Sequence, residues 1–321
     1  MTPTQFAALR KVQDTPSGRI SYVDRGSGPV ALFVHGFPLN GYHWRHQLEA
    51  LDDIRRCIAP DLLGLGFSEV TTDQSLRFDA QAQMLREFID ALGIREIDLI
   101  GNDSGGAIAQ ILATQIPDRI RSLTLTNCDV HDNWPPPAFM PLFQLAKEGQ
   151  LGRTLAGLLA NPDVARSPRG LGMAFQFSER LADDILGLYL APIAASPARQ
   201  AGVDRYTAAM DPEQTVRIYA DLGRFAKPTL IVWGNDDVFF PERWAQWLAD
   251  TIPGVRNVKI LNAARLFFPE ERADEFNELL RAHWLAAEPR PAAIATTMTA
   301  AALPVDGNSN ASRCFSPSGS P

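Results

Sequence analysis

The sequence predicts an α/β fold: a mainly parallel open sheet with helices on both faces and an inserted helical cap. Three observations carry this. Short β-rich runs recur along the chain, and most end in Gly, Asp or Asn, residues that turn a chain out of a strand. Helical periodicity fills several of the gaps between them, and such alternation is the mark of a parallel sheet covered on both faces. One interval, from about Val130 to Phe225, keeps helical segments but offers no clear strand.

In chain order the strand candidates are "RISYVD", "VALFVHG", "RRCIAPD", "IDLIGN", "SLTLTNC", "PTLIVWG" and "NVKIL". Before "IDLIGN", the segment "FDAQAQMLREFIDALG" repeats Ala80, Met84, Phe88 and Leu92 at helical spacing, and Gly93 is placed to close the helix. After "SLTLTNC", "NWPPPAF" leads into the strandless interval, read as a helical cap over residues 130–225. The sheet resumes at "PTLIVWG", so the core is residues 1–129 and 226–288. From about Pro289 the chain is rich in Ala, Pro, Ser and Thr and nearly free of charge, the composition of a disordered low-complexity tail over 289–321.

Composition narrows the function. A chain of 321 residues, 45% hydrophobic and 21% charged, can bury the core of one large domain or of a domain with an insert. A net charge of -7 without a basic run argues against a nucleic-acid or membrane partner and for a small-molecule one. Cys57, Cys128 and Cys314 are scattered and lack metal-ligand spacing, so neither a disulfide framework nor a metal site is expected, and no cofactor is implied. The N-terminus "MTPTQFAALRKVQD" lacks the apolar centre of a signal peptide, and no apolar run is long enough to cross a bilayer. A cytoplasmic location is the expectation; the oligomeric state is left open.

The chemistry centres on "LIGNDSGGAIAQ", residues 99–110. Gly101-Asn102-Asp103-Ser104-Gly105-Gly106 fits a nucleophile elbow, G-x-Nuc-x-G, with Asp103 at the sharp point of a strand-turn-helix. Glycines flank it because a non-glycine residue held in a strained turn needs neighbours with almost no side chain. A turn whose Asp merely caps the helix is the bland alternative. Two further segments weigh against it. "LFVHGFP" places His35-Gly36-Phe37-Pro38 after an apolar strand, where a backbone N–H can face a developing oxyanion. "LIVWGNDDVFFPERW" puts Asp237 in a loop after another strand, as an acid that orients a base would be.

With "APDLLGLGFSE" between them, these segments, in this order, resemble the α/β-hydrolase fold family over roughly residues 18–285. Within it, the Asp at the elbow is the pattern of the branch containing haloalkane dehalogenases, fluoroacetate dehalogenases and epoxide hydrolases. The resemblance implies Asp103 as nucleophile, Asp237 as acid, and the backbone amides of Phe37 and Ser104 as the oxyanion hole. The carboxylate would form an ester with an electrophilic carbon, and water activated by a His would cleave it.

The sequence departs from that pattern at the base. Where the family reads "A-G-H-F-L-P-E-E", this chain reads Ala264-Arg265-Leu266-Phe267-Phe268-Pro269-Glu270-Glu271, so Leu266 stands at the His position. Of five histidines, only His283 lies beyond it, in the helical "ELLRAHW". His131, just past "SLTLTNC", is the best substitute, with Asp129 or Asp132 to orient it, because strand C-terminal ends face the crevice of an open sheet. A His that caps the start of the inserted segment is the alternative. His35 reads as part of the "HGFP" turn, and His43 and His46 fall on the following helix.

The halide donors of haloalkane dehalogenases, a Trp after the nucleophile and an Asn in the "HG" loop, are replaced by Ser104 and Phe37. Ser104 also stands where fluoroacetate dehalogenases carry Arg. Epoxide hydrolases use two cap tyrosines, for which Tyr189, Tyr206 and Tyr219 are candidates, although each serves equally as core. Trp134, Phe239 and Leu266, with His35, complete the expected pocket wall, and an apolar pocket would raise the Asp103 pKa by desolvation. Three readings follow: a hydrolase of a small apolar epoxide, ester or halide; a non-hydrolytic isomerase, lyase or cyclase using Asp103 for proton transfer; and a non-catalytic small-molecule binder.

Overall fold

Eight strands form one sheet in the computed structural model, which describes residues 1–287; the expected tail from Pro289 lies outside the described residues. The strands are β1 (Lys11–Thr15), β2 (Gly18–Arg25), β3 (Val30–Val34), β4 (Arg56–Pro60), β5 (Ile97–Asp103), β6 (Ile120–Cys128), β7 (Thr229–Gly234) and β8 (Val255–Leu261). Their spatial order is β1-β2-β4-β3-β5-β6-β7-β8. β1 pairs antiparallel with β2 and β2 with β4, and all the remaining pairs are parallel. Every residue of β3, β5 and β7 is buried, as expected of parallel strands with helices on both faces.

The seven expected strands are all present. β1 was not anticipated: "KVQDT" is a largely exposed edge with no β-rich run to announce it. The helix Phe78–Ala91 ends as expected, with Gly93 at φ +66 and its N–H bonded to the Asp90 carbonyl. Only helices and loops lie between β6 and β7, among them Met140–Lys147, Leu151–Leu158, Asp183–Ala194 and Pro197–Ala208. These helices share the hydrophobic core of the sheet layer, since Leu155, Leu190 and Tyr206 belong to the same buried cluster as Phe33 and Ile100.

The topology dictates where a site can form. From β3 the chain crosses to β4 on one side, then returns to lay β5 on the other side of β3. The connections leaving β3 and β5 therefore diverge and open a crevice at the C-terminal ends of these strands. Phe37 follows β3, and Asp103 ends β5.

Candidate active site

Asp103 is held at φ 56 and ψ -135, a conformation costly for a residue with a side chain and sustained only where its surroundings fix it. Two glycines make that possible. A Cβ on Gly36 would lie 2.2 Å from Asp103 Oδ2, and one on Gly105 would lie 2.3 Å from the His35 carbonyl oxygen. Without side chains there, the turn after β3 and the start of helix Ser104–Gln115 come into direct contact. The Phe37 N–H donates to Asp103 Oδ2 at 2.6 Å, and the Ser104 amide is a second backbone donor to the same carboxyl.

Above the elbow lies a cavity of about 100 Å³, walled by Phe37, Phe139, Phe239, Leu266 and Phe267 with Asp103 and Asp129 among them. Its scale admits a small molecule, since a single water needs only about 10–15 Å³ by the same measure. Burial in these surroundings pushes the Asp103 carboxyl well above the usual range; the two amides oppose this and the nearby Asp237 charge adds to it. Asp129 is also raised well above the usual carboxylate range, by desolvation first and then by the charges of Asp103 and Asp237.

Asp237 stands behind the wall. Its Oδ2 accepts from Asn127 Nδ2 at 2.7 Å, and its Oδ1 accepts from the Phe239 N–H at 2.8 Å. Asn127 is itself locked to the end of β7, where it donates to the Gly234 carbonyl and accepts the Gly234 N–H. Asp237 therefore orients an amide and no imidazole. Desolvation raises it to about 7, against those hydrogen bonds.

Among the described residues no histidine hydrogen-bonds to Asp103, Asp129 or Asp237. The His131 ring stacks on Trp247 at 4.8 Å and packs beside Tyr219, and it does not line the cavity. This corrects the expectation of His131 as the base: its backbone takes a positive φ of 49 and carries the ring away to the aromatic pair. His35 is wholly buried and forms part of the turn, with Nδ1 on the Gly36 carbonyl and Nε2 accepting from the Leu62 N–H. Burial lowers its pKa to about 3, so the ring is neutral. His35 is therefore no part of the pocket wall.

Four aromatic candidates also stay off the cavity wall. Trp134 stacks flat on Phe78 at 4.5 Å and donates Nε1–H to Thr215 Oγ1, while Pro136 and Phe139 of the same segment take the wall. Tyr189 donates to Glu270 Oε2 at 2.6 Å in a buried cluster with Arg45. Tyr206 donates to Ser104 Oγ at 2.9 Å and stacks over Phe37, which places it beside those two residues without lining the cavity. Tyr219 is 53% exposed. Of the expected wall, Phe239 and Leu266 do face the cavity beside Asp103. The Leu266 position is fixed by Asn102, whose Nδ2 donates to its carbonyl oxygen at 3.0 Å.

Sequence reasoning weighed Asp129 only as an orienting partner for His131 and missed it as a cavity wall. The available signal was its place at a strand's C-terminal end, in register beside Asp103, whose Cα partner is Cys128. Asn127, the clamp on Asp237, carried no signal short of the fold. No helix among the described residues is long and apolar enough to cross a membrane, and they contain no cluster of metal-ligating side chains.

The chain is similar to haloalkane dehalogenase 2 of Mycobacterium bovis, at 33% identity over 276 residues, covering 81% of this chain and 90% of that protein. It is 28% identical over 257 residues to a cis-3-alkyl-4-alkyloxetan-2-one decarboxylase of Shewanella oneidensis, covering 76% and 78% of the two chains. In fold it resembles the epoxide hydrolase CorEH, with a TM-score of 0.73 at 20% identity, over 87% of this chain and 99% of that one. Residues 29–272 match the family described as alpha/beta hydrolase fold, and the chain belongs to that family.

Proposed function

We propose that this chain is a hydrolase of a small apolar substrate, an epoxide, ester or halide, with Asp103 as its nucleophile. One observation carries the reading: the Asp103 carboxyl takes a hydrogen bond from the Phe37 amide at 2.6 Å and faces a cavity whose wall is mostly apolar. Oδ2 rests against the amide that would hold an oxyanion, and the carboxyl's other oxygen is the one to attack a substrate carbon. The ester then presents its carbonyl oxygen to the Phe37 and Ser104 amides, which stabilise the tetrahedral intermediate of hydrolysis. Similarity to a haloalkane dehalogenase supports the reaction class. The apolar wall, with Ser104 and Phe37 at the usual halide-donor places, disfavours a halide leaving group.

A single turnover in H2(18)O tests it. Attack by Asp103 predicts label in the Asp103 peptide after turnover, and Asp103→Asn predicts neither product nor label. Label in the product alone would reject the nucleophile role. A second reading, a non-hydrolytic lyase or isomerase, is favoured by the cavity wall carrying Leu266, read as the replacement of the family's imidazole, and no histidine, and by the similarity to an oxetanone decarboxylase. It predicts conversion of a substrate without incorporation of solvent oxygen.

A further inference from the structure

The mechanism above needs a proton donor and acceptor, and the imidazole that would serve is absent from the described site. Asp129 is the group positioned to serve. It is 2% exposed, lines the same cavity as Asp103, and follows Cys128, the β6 residue in register with Asp103 on β5. Its backbone carbonyl is bonded by Gln110 Nε2, yet among the described residues its carboxyl accepts no hydrogen bond and meets no cation. A buried carboxyl with no structural partner is expensive to keep unless something else occupies it in the working state.

We propose that Asp103 and Asp129 form a carboxyl pair holding one proton, with Asp129 the acid that protonates a departing oxygen and then the base that activates water. This rests on the proposed nucleophile role of Asp103 and narrows the substrate class to small apolar epoxides. Two carboxylates lining one desolvated cavity do not both ionise, so the pair keeps at least one proton, and its singly protonated form is the reactive one. That form matches epoxide opening, which calls for one carboxylate and one acid at once.

The steps balance. Asp103 carboxylate attacks a ring carbon, the C–O bond breaks, and the oxygen takes the Asp129 proton, leaving a neutral hydroxy-ester and an ionised Asp129. Asp129 takes a proton from water as the resulting hydroxide adds to the Asp103 ester carbon. The tetrahedral oxyanion lies against the Phe37 and Ser104 amides. Its collapse breaks the ester C–O bond, and the leaving alkoxide takes the proton back from Asp129, giving a diol. Asp103 emerges protonated, and passing that proton to Asp129 restores the starting pair. A halide leaving group needs no such proton.

The titratable and charged groups around the pair are few. Asp237 adds a charge that raises both members, Tyr206 and Cys128 are buried close by, and Arg169 stands on the cavity lining. The singly protonated form gives kcat/KM a bell-shaped pH profile, losing activity at low pH when both carboxyls are protonated and at high pH when both are ionised.

The test uses 1,2-epoxyhexane and 1-bromohexane with wild type, Asp103→Asn, Asp129→Asn and Asp129→Ser, the last kept in case the Asn variant misfolds. Asp129 variants that melt cooperatively are expected to lose at least about 10²-fold in epoxide kcat/KM, and the alkaline limb of the profile with it. An Asp129 variant within threefold of wild type and keeping both limbs would overturn the pair, and if Asp103→Asn is then inactive the nucleophile reading survives alone. Turnover by Asp103→Asn would remove both. Wild type that hydrolyses 1-bromohexane but leaves 1,2-epoxyhexane untouched overturns the epoxide assignment, and inertness toward both probes overturns it too while leaving the hydrolase reading to esters alone.

Discussion

The main-chain N–H of Phe37 meets Asp103 Oδ2 at 2.6 Å, joining the turn after β3 to the end of β5 across 66 residues of sequence. That contact exists because Gly36 has no side chain: a Cβ there would lie 2.2 Å from Asp103 Oδ2 and 2.3 Å from its Cβ. Neither neighbour is a flexible end that can move aside, since Asp103 is fixed in a positive-φ turn. Gly36→Ala is therefore expected to push the amide off the carboxyl and lower kcat by about 10²-fold or more, the usual cost of losing one oxyanion donor. Steady-state kinetics beside a thermal melt would check it; a folded Gly36→Ala protein with wild-type kcat would show that the amide is not used.

The acidic cluster makes a prediction about stability. Asp103, Asp129 and Asp237 are all raised above the ordinary value of 3.8. Between that value and the folded pKa values, the unfolded chain releases protons that the folded chain retains, so stability falls as pH rises. Asp129→Asn removes one such group. Its melting temperature relative to wild type should climb from pH 4 to pH 8, by about 2–4 °C for each ~1 kcal/mol of penalty relieved in a domain of this size. Because the buried amide adds a pH-independent offset, the slope is the readout. A relative Tm that stays flat with pH would mean that Asp129 ionises freely in the fold.

His131 offers a control on the base. Its ring lies 4.8 Å from Trp247 and 5.8 Å from Tyr219, outside the cavity, so His131→Ala should leave kcat/KM within about twofold. The lost aromatic packing should cost about 1 kcal/mol in a denaturant melt. A fall in kcat/KM by two orders of magnitude without unfolding would return His131 to the reaction.

Local patterns were legible in the sequence and tertiary choices were not. The glycines around Asp103 and the "HGFP" turn are short-range signals, and they do bring Phe37 and Asp103 together. β-rich runs marked seven strands, whereas β1 passed unseen because an exposed edge strand needs no apolar alternation. Whether an aromatic faces a cavity depends on distant partners. Trp134 is committed to Phe78 and Thr215, and Tyr189 to Glu270, through contacts that no local pattern encodes. Asp129 and His131 are two residues apart, yet one lines the cavity and the other leaves it, because the backbone turns to φ 49 between them and the helix that follows.

Glu270 extends the argument to the segment that carries Leu266 and Phe267. Its carboxylate accepts from Arg45 at 2.6 Å and from Tyr189 at 2.6 Å, lies 3.5 Å from His43, and is only 7% exposed. Burial alone would raise its pKa; the Arg45 charge, the Arg45 hydrogen bond and the nearby His43 ring outweigh that and hold it at about 2. A lowered folded value means that the stability gained is fully present above the unfolded value of 4.5 and is lost as pH falls toward 2. Glu270→Gln leaves the Arg45 charge buried without its partner, which should cost about 3–5 kcal/mol at pH 7 and flatten the acid side of the stability profile. Urea melts at pH 7, 5 and 3 would measure both. Because Gln47 Nε2 pins the adjacent Pro269 carbonyl at 2.9 Å, the loosening should also reach the cavity wall and raise KM more than it lowers kcat. A variant that melts like wild type at pH 7 would show the cluster to be dispensable to the wall it supports.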